Sequence, residues 1–277
     1  MALESGTKKN ATGNRRRGRN RPVSLPDLLK FLVFCALSAW ILTEGTGGLG
    51  YHWQWYRVPR YLLFYENNAW HLGPLLRGLV VTLQIASASL FLALAIGLLT
   101  ALFRLSDSVM ARTSARFYLE FIRNTPLLIQ LFFIYFVISP ILGWSAFFSA
   151  VLALSLFEGA YASEMIRAGI LSVPRGQWEA SRSLGIGTYQ TYVRVVLPQA
   201  LRKVLPPLTG QAVSLVKDSA LVSTIAIYDL TMEAQAIVAE TFLTFEIWFT
   251  TAAVYLFMTL GLSFFARFLE RRFRLDY

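Results

Sequence analysis

Cysteine and histidine are nearly absent from this 277-residue chain, which holds only Cys35, His52 and His71. A single cysteine cannot form a disulfide within the chain, so no disulfide framework stabilises it. Structural zinc needs four such ligands, and a histidine-rich catalytic metal site also lacks the residues it requires. The composition does not exclude a magnesium site formed by carboxylates alone, but we expect no metal site.

Acidic residues are also scarce, with 16 Asp and Glu against 26 Lys and Arg and a net charge of +10. Such a charge is typical of nucleic-acid-binding proteins, but basic residues also collect on the cytoplasmic side of membrane proteins. The chain is 55% hydrophobic with a mean hydropathy of +0.50, which favours the membrane class. Residues 1–26 are basic with few apolar side chains, and we expect a disordered cytoplasmic arm there.

Six apolar runs are long enough, or nearly long enough, to cross a bilayer as helices. They cover residues 28–43, 75–103, 121–142, 146–162, 205–227 and 242–268. The first run is short and follows basic residues, as a signal peptide does, but no small-residue cleavage pattern closes it. We interpret it as an uncleaved extra helix and assign residues 27–74 to that helix and an external aromatic segment.

The basic residues between these runs indicate the orientation. The predicted outside segments hold only Arg57, Arg60 and Arg77. The predicted inside segments hold Arg104, Arg112 and Arg116, then Arg167, Arg175, Arg182, Arg194, Arg202 and Lys203, and finally Arg267, Arg271, Arg272 and Arg274. This distribution follows the positive-inside rule. The sequence therefore predicts an all-α membrane protein with about six transmembrane helices and both termini cytoplasmic, and it disfavours nucleic-acid binding.

The longest polar insertion follows the fourth run and predicts two short amphipathic helices. Pro174 can begin the first helix, Gly185 can end it in the left-handed conformation, and Pro198 is expected to limit the second. Its pattern resembles the EAA loop of binding-protein-dependent ABC importer permeases, in which a glutamate precedes small residues, a glycine and a hydrophobic-x-Leu-Pro ending. The matching residues are Glu179, Ala180, Gly185, Val195, Leu197 and Pro198, with Ser181 where the pattern has alanine.

The resemblance extends from about residue 78 to 272 and narrows to the polar amino-acid branch of these permeases. It rests on residues 120–130, 159–169, 205–208 and 215–221. It implies a permease domain at 75–277, with a five-helix core and a coupling loop at about 167–204. It also implies a bacterial cytoplasmic (inner) membrane location and three partners: an ABC ATPase dimer, a second permease subunit, identical or related, and an extracytoplasmic amino-acid-binding protein.

No catalytic residue or cofactor is expected on this chain. It lacks the Gly-x-x-x-x-Gly-Lys-Ser/Thr loop of nucleotide-binding subunits, so ATP and magnesium would bind the partner ATPase. The loop residues Glu179, Ala180, Ser181, Gly185, Leu197 and Pro198 are the predicted ATPase-coupling set.

Charged residues within the apolar runs are the candidates for the substrate path, because charge in lipid is costly. Glu158 could receive the ammonium of an amino acid and Lys217 its carboxylate, and Asp218 and Gln130 complete the set. A salt bridge between Glu158 and Lys217 that never touches substrate is an equal alternative. The spacing also predicts ion pairs between Glu120 and Arg123 and between Glu164 and Arg167.

Two other functions compete with an importer subunit that works by alternating access. An intramembrane enzyme would need a convergent nucleophile, base or metal site, and no such constellation is present. A self-contained channel or secondary transporter is compatible with the helix count, but it does not predict the coupling-loop pattern.

Overall fold

The computed structural model describes residues 25–48 and 51–273, in two compact units that divide between Trp53 and Gln54. The first unit contains helix α1, Leu25–Gly48, which includes the apolar run predicted at 28–43. The predicted disordered arm lies outside the described residues up to position 24, while Leu25 and Pro26 already belong to α1.

The second unit begins with a 3₁₀ turn, a short helix and a two-stranded hairpin, within the segment that was predicted to be external. The sequence did not predict these elements. A 3₁₀ turn, Trp55–Arg57, leads into α2, Pro59–Leu62, and then into antiparallel strands β1, Leu63–Glu66, and β2, Ala69–Leu72. The connecting Asn67 and Asn68 have φ of 51° and 64°. Asparagine tolerates this conformation better than most residues, so the pair forms a tight two-residue hairpin turn.

The remainder of the second unit is helical. Its helices are α3 Pro74–Leu105, α4 Val109–Arg123, α5 Leu127–Phe132, α6 Ser139–Leu142, α7 Ala146–Leu171, α8 Arg175–Ser183, α9 Thr188–Thr191, α10 Leu197–Asp218, α11 Leu230–Thr241 and α12 Thr244–Phe273. Two π-helical segments, Phe133–Ile138 and Tyr192–Val196, join α5 to α6 and α9 to α10, and a 3₁₀ segment, Ser219–Ile225, extends α10. Among the described residues, three helices are long and apolar enough to cross a membrane, or five if each of two bent pairs is one span.

The predicted run at 121–142 is not one straight helix. Helix α4 ends at Arg123, and the chain bends by 105° before continuing from Leu127 to Leu142. Pro126 lies at the bend and has no backbone N–H, so it cannot continue the hydrogen-bond ladder. The side-chain amide of Gln130 stabilises the bend instead. Its Nε2 donates hydrogen bonds to the Ile122 carbonyl at 2.7 Å and to Thr125 Oγ1 at 2.8 Å.

The prediction that Pro198 limits the second amphipathic helix is wrong. The chain stays helical from Thr188 to Ile225, and Pro198 lies in the first turn of α10. The π-helical segment Tyr192–Val196 directly precedes this turn. The wider π turn accommodates Pro198, which has no backbone N–H to donate and whose ring would crowd the turn before it. The helix that carries the fifth predicted run therefore begins well before residue 205.

Close packing of α3 against α7 forms the centre of the unit. A Cβ added at Gly97 would lie 2.9 Å from the Ala162 Cβ, and one added at Gly159 would lie 3.0 Å from Ile96 Cγ2. Small residues at such contacts let transmembrane helices approach closely. Arg104 and Glu164, each near the C-terminal end of its helix, are 2.7 Å apart. The two helices therefore run in the same direction.

A second core holds the N-terminal end of α3. Buried Leu75, Leu230 and Ile247 from α3, α11 and α12 pack together with Tyr61 of α2. The backbone N–H of Leu230 donates to Thr82 Oγ1 at 3.1 Å. This core fixes the hairpin-bearing segment to the ends of α3 and α12.

We predict that Gly97→Leu lowers the stability of the protein, because the added side chain would overlap Ala162 and force α3 and α7 apart. The expected cost is about 1–3 kcal/mol, measured as a lower thermal unfolding midpoint in mild detergent. Gly261→Leu is the control, since a Cβ at Gly261 meets no atom within 4 Å among the described residues. Equal midpoints for the two variants would contradict the packing argument.

Candidate functional site

The segment that follows α7 forms a compact helix-turn-helix. Helix α8 ends at Ser183 with Leu184 as its C-cap, and Gly185 follows with a φ of +69°. The Ile186 N–H donates to the Ser181 carbonyl at 3.0 Å and the Gly185 N–H to the Arg182 carbonyl at 2.9 Å. These two bonds are the Schellman arrangement at a helix C-terminus, which requires a left-handed residue at the glycine position. The prediction that Gly185 ends the first helix is confirmed.

The helix-turn-helix has its own small core. The Trp178 and Tyr192 rings meet edge to face with centroids 5.0 Å apart, and both pack on buried Ile170, Val173, Val196 and Ala200. Ser181 is only 3% exposed, and its hydroxyl donates to the Gln177 carbonyl at 2.8 Å. Its small side chain therefore fits the interior of the loop and does not lie on its surface.

The surface of the loop presents both polar and apolar side chains. Glu179 and Ala180 are exposed, as a contact with a partner requires. Leu184 and Tyr189, which the sequence reasoning missed, are 77% and 80% exposed on either side of Gly185. A large apolar residue beside the glycine of an otherwise polar helix was the signal that could have identified Leu184. Exposed apolar side chains flanking a rigid turn are typical of a docking surface.

Leu197 and Pro198 lie at the base of the loop rather than at its surface tip. Both line an apolar cavity of about 600 Å³ between α3, α7 and α10, together with Leu98 and Ile170. Both residues lie in the first turn of α10 and therefore connect the loop to that helix.

Glu164 gathers three arginines near the C-terminal ends of α3, α4 and α7. Its carboxylate lies 2.7 Å from Arg104, 3.1 Å from Arg167 and 3.6 Å from Arg123. The predicted pair with Arg167 is confirmed. The predicted pair between Glu120 and Arg123 is wrong, because Arg123 turns toward Glu164 and Glu120 accepts a 3.1 Å hydrogen bond from Asn124.

A buried polar site lies deeper along α7. Glu158 is 1% exposed, and the Gln211 side chain on α10 donates to its Oε2. Its Oε1 has no hydrogen-bond partner among the described residues. Asp218 lies two turns further along α10 on the same face as Gln211, and its charge acts on Glu158. Glu158 and Gln211 border a small, otherwise apolar cavity.

Lys217 does not join this site. It is exposed, and it forms no ion pair in the part of the chain that the structure describes. The expected approach of Glu158 and Lys217 is therefore absent, because successive positions on α10 point about 100° apart and only Asp218 shares the face of Gln211. Gln211 was missed by the sequence reasoning. Its spacing of seven from Asp218 in an apolar helix was the available signal.

Gln130, the fourth substrate-path candidate, lies away from the polar pair, at the bend between α4 and α5. Its amide nitrogen is used by that bend, while its Oε1 is buried without a partner among the described residues. Within residues 25–48 and 51–273, no three His, Cys, Asp or Glu residues cluster as a metal site would require.

Comparison with known proteins agrees with this geometry. Residues 78–275 match the family described as binding-protein-dependent transport system inner membrane component. The chain belongs to this family. The matched residues begin in the first turns of α3 and include the coupling loop, Glu158, Glu164 and Gln211.

Individual relatives cover the same part of the chain. The glutamine transport system permease protein of Escherichia coli K12 is 39% identical over 74% of this chain and 96% of its own length. The nopaline transport system permease protein of Agrobacterium fabrum is 38% identical over 68% and 83%. A crystal structure of an amino acid ABC transporter superposes with a TM-score of 0.67 at 38% identity, over 72% of this chain and 94% of that one.

We predict that Gly185→Ala loosens the end of α8 without changing any side-chain contact, since a Cβ there meets no atom within 4 Å. A left-handed alanine costs about 1–2 kcal/mol. The amide of Ile186 should therefore exchange its hydrogen about 5- to 30-fold faster, measured by hydrogen exchange with mass spectrometry. Gly187→Ala is the matched control, because Gly187 has an ordinary extended conformation and equally free space. Equal exchange rates of the Ile186 amide in the two variants would contradict the requirement for a left-handed residue at position 185.

Proposed function

We propose that this chain is the membrane-spanning subunit of an ATP-driven importer of polar amino acids. The observation that carries the proposal is the rigid, exposed helix-turn-helix formed by α8 and α9, directly continuous with α7 and α10. Family membership makes the chain a transport component rather than an enzyme. The names of the glutamine and nopaline relatives support amino acids as the substrate class.

The proposed arrangement has six spans, with both termini in the cytoplasm of a bacterium and the chain in its cytoplasmic (inner) membrane. Helix α1 supplies the first span, and α3, the segment Leu127–Leu142 after the bend, α7, α9–α10 and α12 supply the five of the permease domain. The shared direction of α3 and α7 fits this order, because one intervening span must separate them. We propose the same three parts of the chain as the sequence indicated, 1–26, 27–74 and 75–277, although α1 already begins at Leu25 and α3 at Pro74.

The proposed partners follow from the loop and the family. A dimer of ATPase subunits would receive Glu179, Ala180, Leu184 and Tyr189 in a surface groove and would hold ATP and magnesium, so this chain itself binds no cofactor. A second permease subunit, identical or related, would complete the path, and an extracytoplasmic binding protein would deliver the amino acid. Closing of the ATPase dimer would move the loop and, through Leu197 and Pro198, helix α10.

Glu158 and Gln211 are the proposed substrate contacts in the membrane. A carboxylate out of contact with water is costly unless it is paired, and the unpartnered Oε1 of Glu158 is placed to accept a hydrogen bond from a cationic group. An ammonium would satisfy it with a charge-assisted hydrogen bond. Because Gln211 lies on α10, movement of that helix during alternating access would change the width of the site.

We predict that Leu184→Asp and Glu179→Ala reduce recovery of the partner ATPase with this chain from mild detergent, since both residues lie on the exposed surface of the loop. Ser181→Ala is the matched control, because Ser181 is buried within the loop. An apolar side chain buried at the centre of an interface contributes about 2 kcal/mol or more to the binding free energy. Leu184→Asp should therefore weaken association with the ATPase at least about 30-fold.

Two outcomes separate the importer from a self-contained transporter. Loss of ATPase recovery or of ATP-coupled uptake in the surface variants supports the proposal. Transport by the intact chain that needs no ATPase under any condition would refute it.

We predict that Glu158→Gln lowers uptake of acidic, neutral and cationic amino acids in proteoliposomes containing the partner subunits, because all of them carry the α-ammonium that Glu158 would accept. A hydrogen bond to a charged group contributes about 1.5–3 kcal/mol, so the loss of uptake should be about 10- to 100-fold. Glu66→Gln, which neutralises an exposed acid on the hairpin turn, is the control. Unchanged uptake of acidic, neutral and basic amino acids would remove Glu158 from the path.

A further inference from the structure

Helix α4 lies across the segment Leu127–Leu142, which it meets at 105°. The Tyr118 hydroxyl donates to the Leu156 carbonyl at 2.6 Å, and the Arg123 guanidinium lies 3.6 Å from Glu164. Leu156 and Glu164 are about 12 Å apart along α7, and Glu164 is nearer the coupling loop. The Tyr118 side of α4 therefore faces the bilayer interior and the Arg123 side faces the cytoplasmic surface.

An exposed apolar stripe runs along α4. Met110, Phe117 and Phe121 are 81%, 73% and 56% exposed, and at 100° per residue they project within about 40° of one another. The two phenylalanine rings lie nearly parallel with centroids 6.3 Å apart. This stripe is separate from the face that packs on the neighbouring helices, which consists of Ala115, Leu119 and Ile122.

A basic stripe runs along the opposite side of the same helix. Arg112, Arg116 and Arg123 fall within about 40° of one another and about 140° from the apolar stripe. Neither Arg112 nor Arg116 forms an ion pair with any residue of 25–48 or 51–273. Glu120, the only acid of α4, accepts a hydrogen bond from Asn124. Two uncompensated guanidinium groups therefore lie on the cytoplasmic side of α4.

We propose that α4 is an interfacial helix that docks on the cytoplasmic leaflet and binds anionic lipids. The apolar stripe enters the boundary of the acyl chains, and Arg112 and Arg116 bind phosphate groups in the headgroup layer. An apolar face opposite a basic face is the pattern of helices that lie in this interface. Guanidinium groups match phosphate oxygens with paired hydrogen bonds, and anionic headgroups attract such residues.

A lipid surface fits the two stripes better than a second copy of the chain does. A polar row of Thr113, Glu120 and Asn124 separates the stripes, and all three side chains are exposed. One flat protein surface that covered both stripes would bury this row and the two free cations. The interface layer changes from apolar to phosphate-rich over a few ångströms, so it contacts each stripe with matching chemistry. The inference requires a membrane location only and does not depend on the transport role.

The first arm of the test identifies what covers the apolar stripe. A nitroxide is attached at Phe117→Cys in a Cys35→Ser background, with the full chain in phosphatidylcholine–phosphatidylglycerol nanodiscs. The expected label is mobile, accessible to oxygen and shielded from a water-soluble nickel reagent. A label at Glu120→Cys should instead be accessible to the nickel reagent and less accessible to oxygen. An immobile, dipole-broadened spectrum would indicate a second copy, and nickel accessibility at position 117 would indicate water; either result overturns the proposal.

The second arm tests the headgroup charge. Lipids retained by the full chain after extraction from the mixed nanodiscs are quantified, and phosphatidylglycerol should be enriched over phosphatidylcholine. Arg112→Gln with Arg116→Gln should reduce this enrichment about ten-fold or more, while Arg175→Gln with Arg182→Gln, the same charge change on the coupling loop, should leave it intact. Glycerol phosphate in the buffer should not compete. Unchanged enrichment in the Arg112 and Arg116 variant, or competition by free glycerol phosphate, overturns the assignment.

Discussion

The close approach of α3 and α7 positions most of the other elements of the second unit. Gly97 and Gly159 remove the side chains that would hold the two helices apart. In lipid, association of apolar helices comes from packing rather than from the hydrophobic effect, so small residues at the contact have a large influence. The pair then presents one surface to α10, another to α4, and two C-terminal ends from which the coupling loop and the turn before α4 emerge.

Charge completes this arrangement near the coupling loop. Glu164 brings arginines from α3, α4 and α7 together, so the helix ends nearest the loop are joined by one carboxylate. About two turns earlier along α7, Glu158 is joined by one amide and keeps an unused acceptor. Gln130 and Asp229 also keep one buried oxygen each without a partner among the described residues, but Glu158 is the one that bridges α7 and α10.

The coupling loop shows how far spacing alone reaches. Pro174 and Gly185 were predicted to bound the first helix, and the helix runs from Arg175 to Ser183 with Gly185 left-handed, because these signals act on their own backbone. Pro198 was misread because its effect is not set by its own backbone alone. Its effect depends on the π-helical turn before it, and a π turn has no simple sequence pattern.

Side-chain partners were predicted less well than helices. The hydrophobic runs determined which segments are helical and apolar, and the basic residues between them determined a consistent orientation, since both properties depend on composition over many residues. The tertiary structure alone decided that Arg123 meets Glu164, that Gln211 rather than Lys217 meets Glu158, and that Ser181 points inward while Leu184 and Tyr189 point out. Each of these depends on the rotation of one helix against another, and a residue's neighbour in sequence points about 100° away from it on a helix. Local chemistry therefore specified the elements of this protein, and the packing of α3, α7 and α10 specified which of their faces meet.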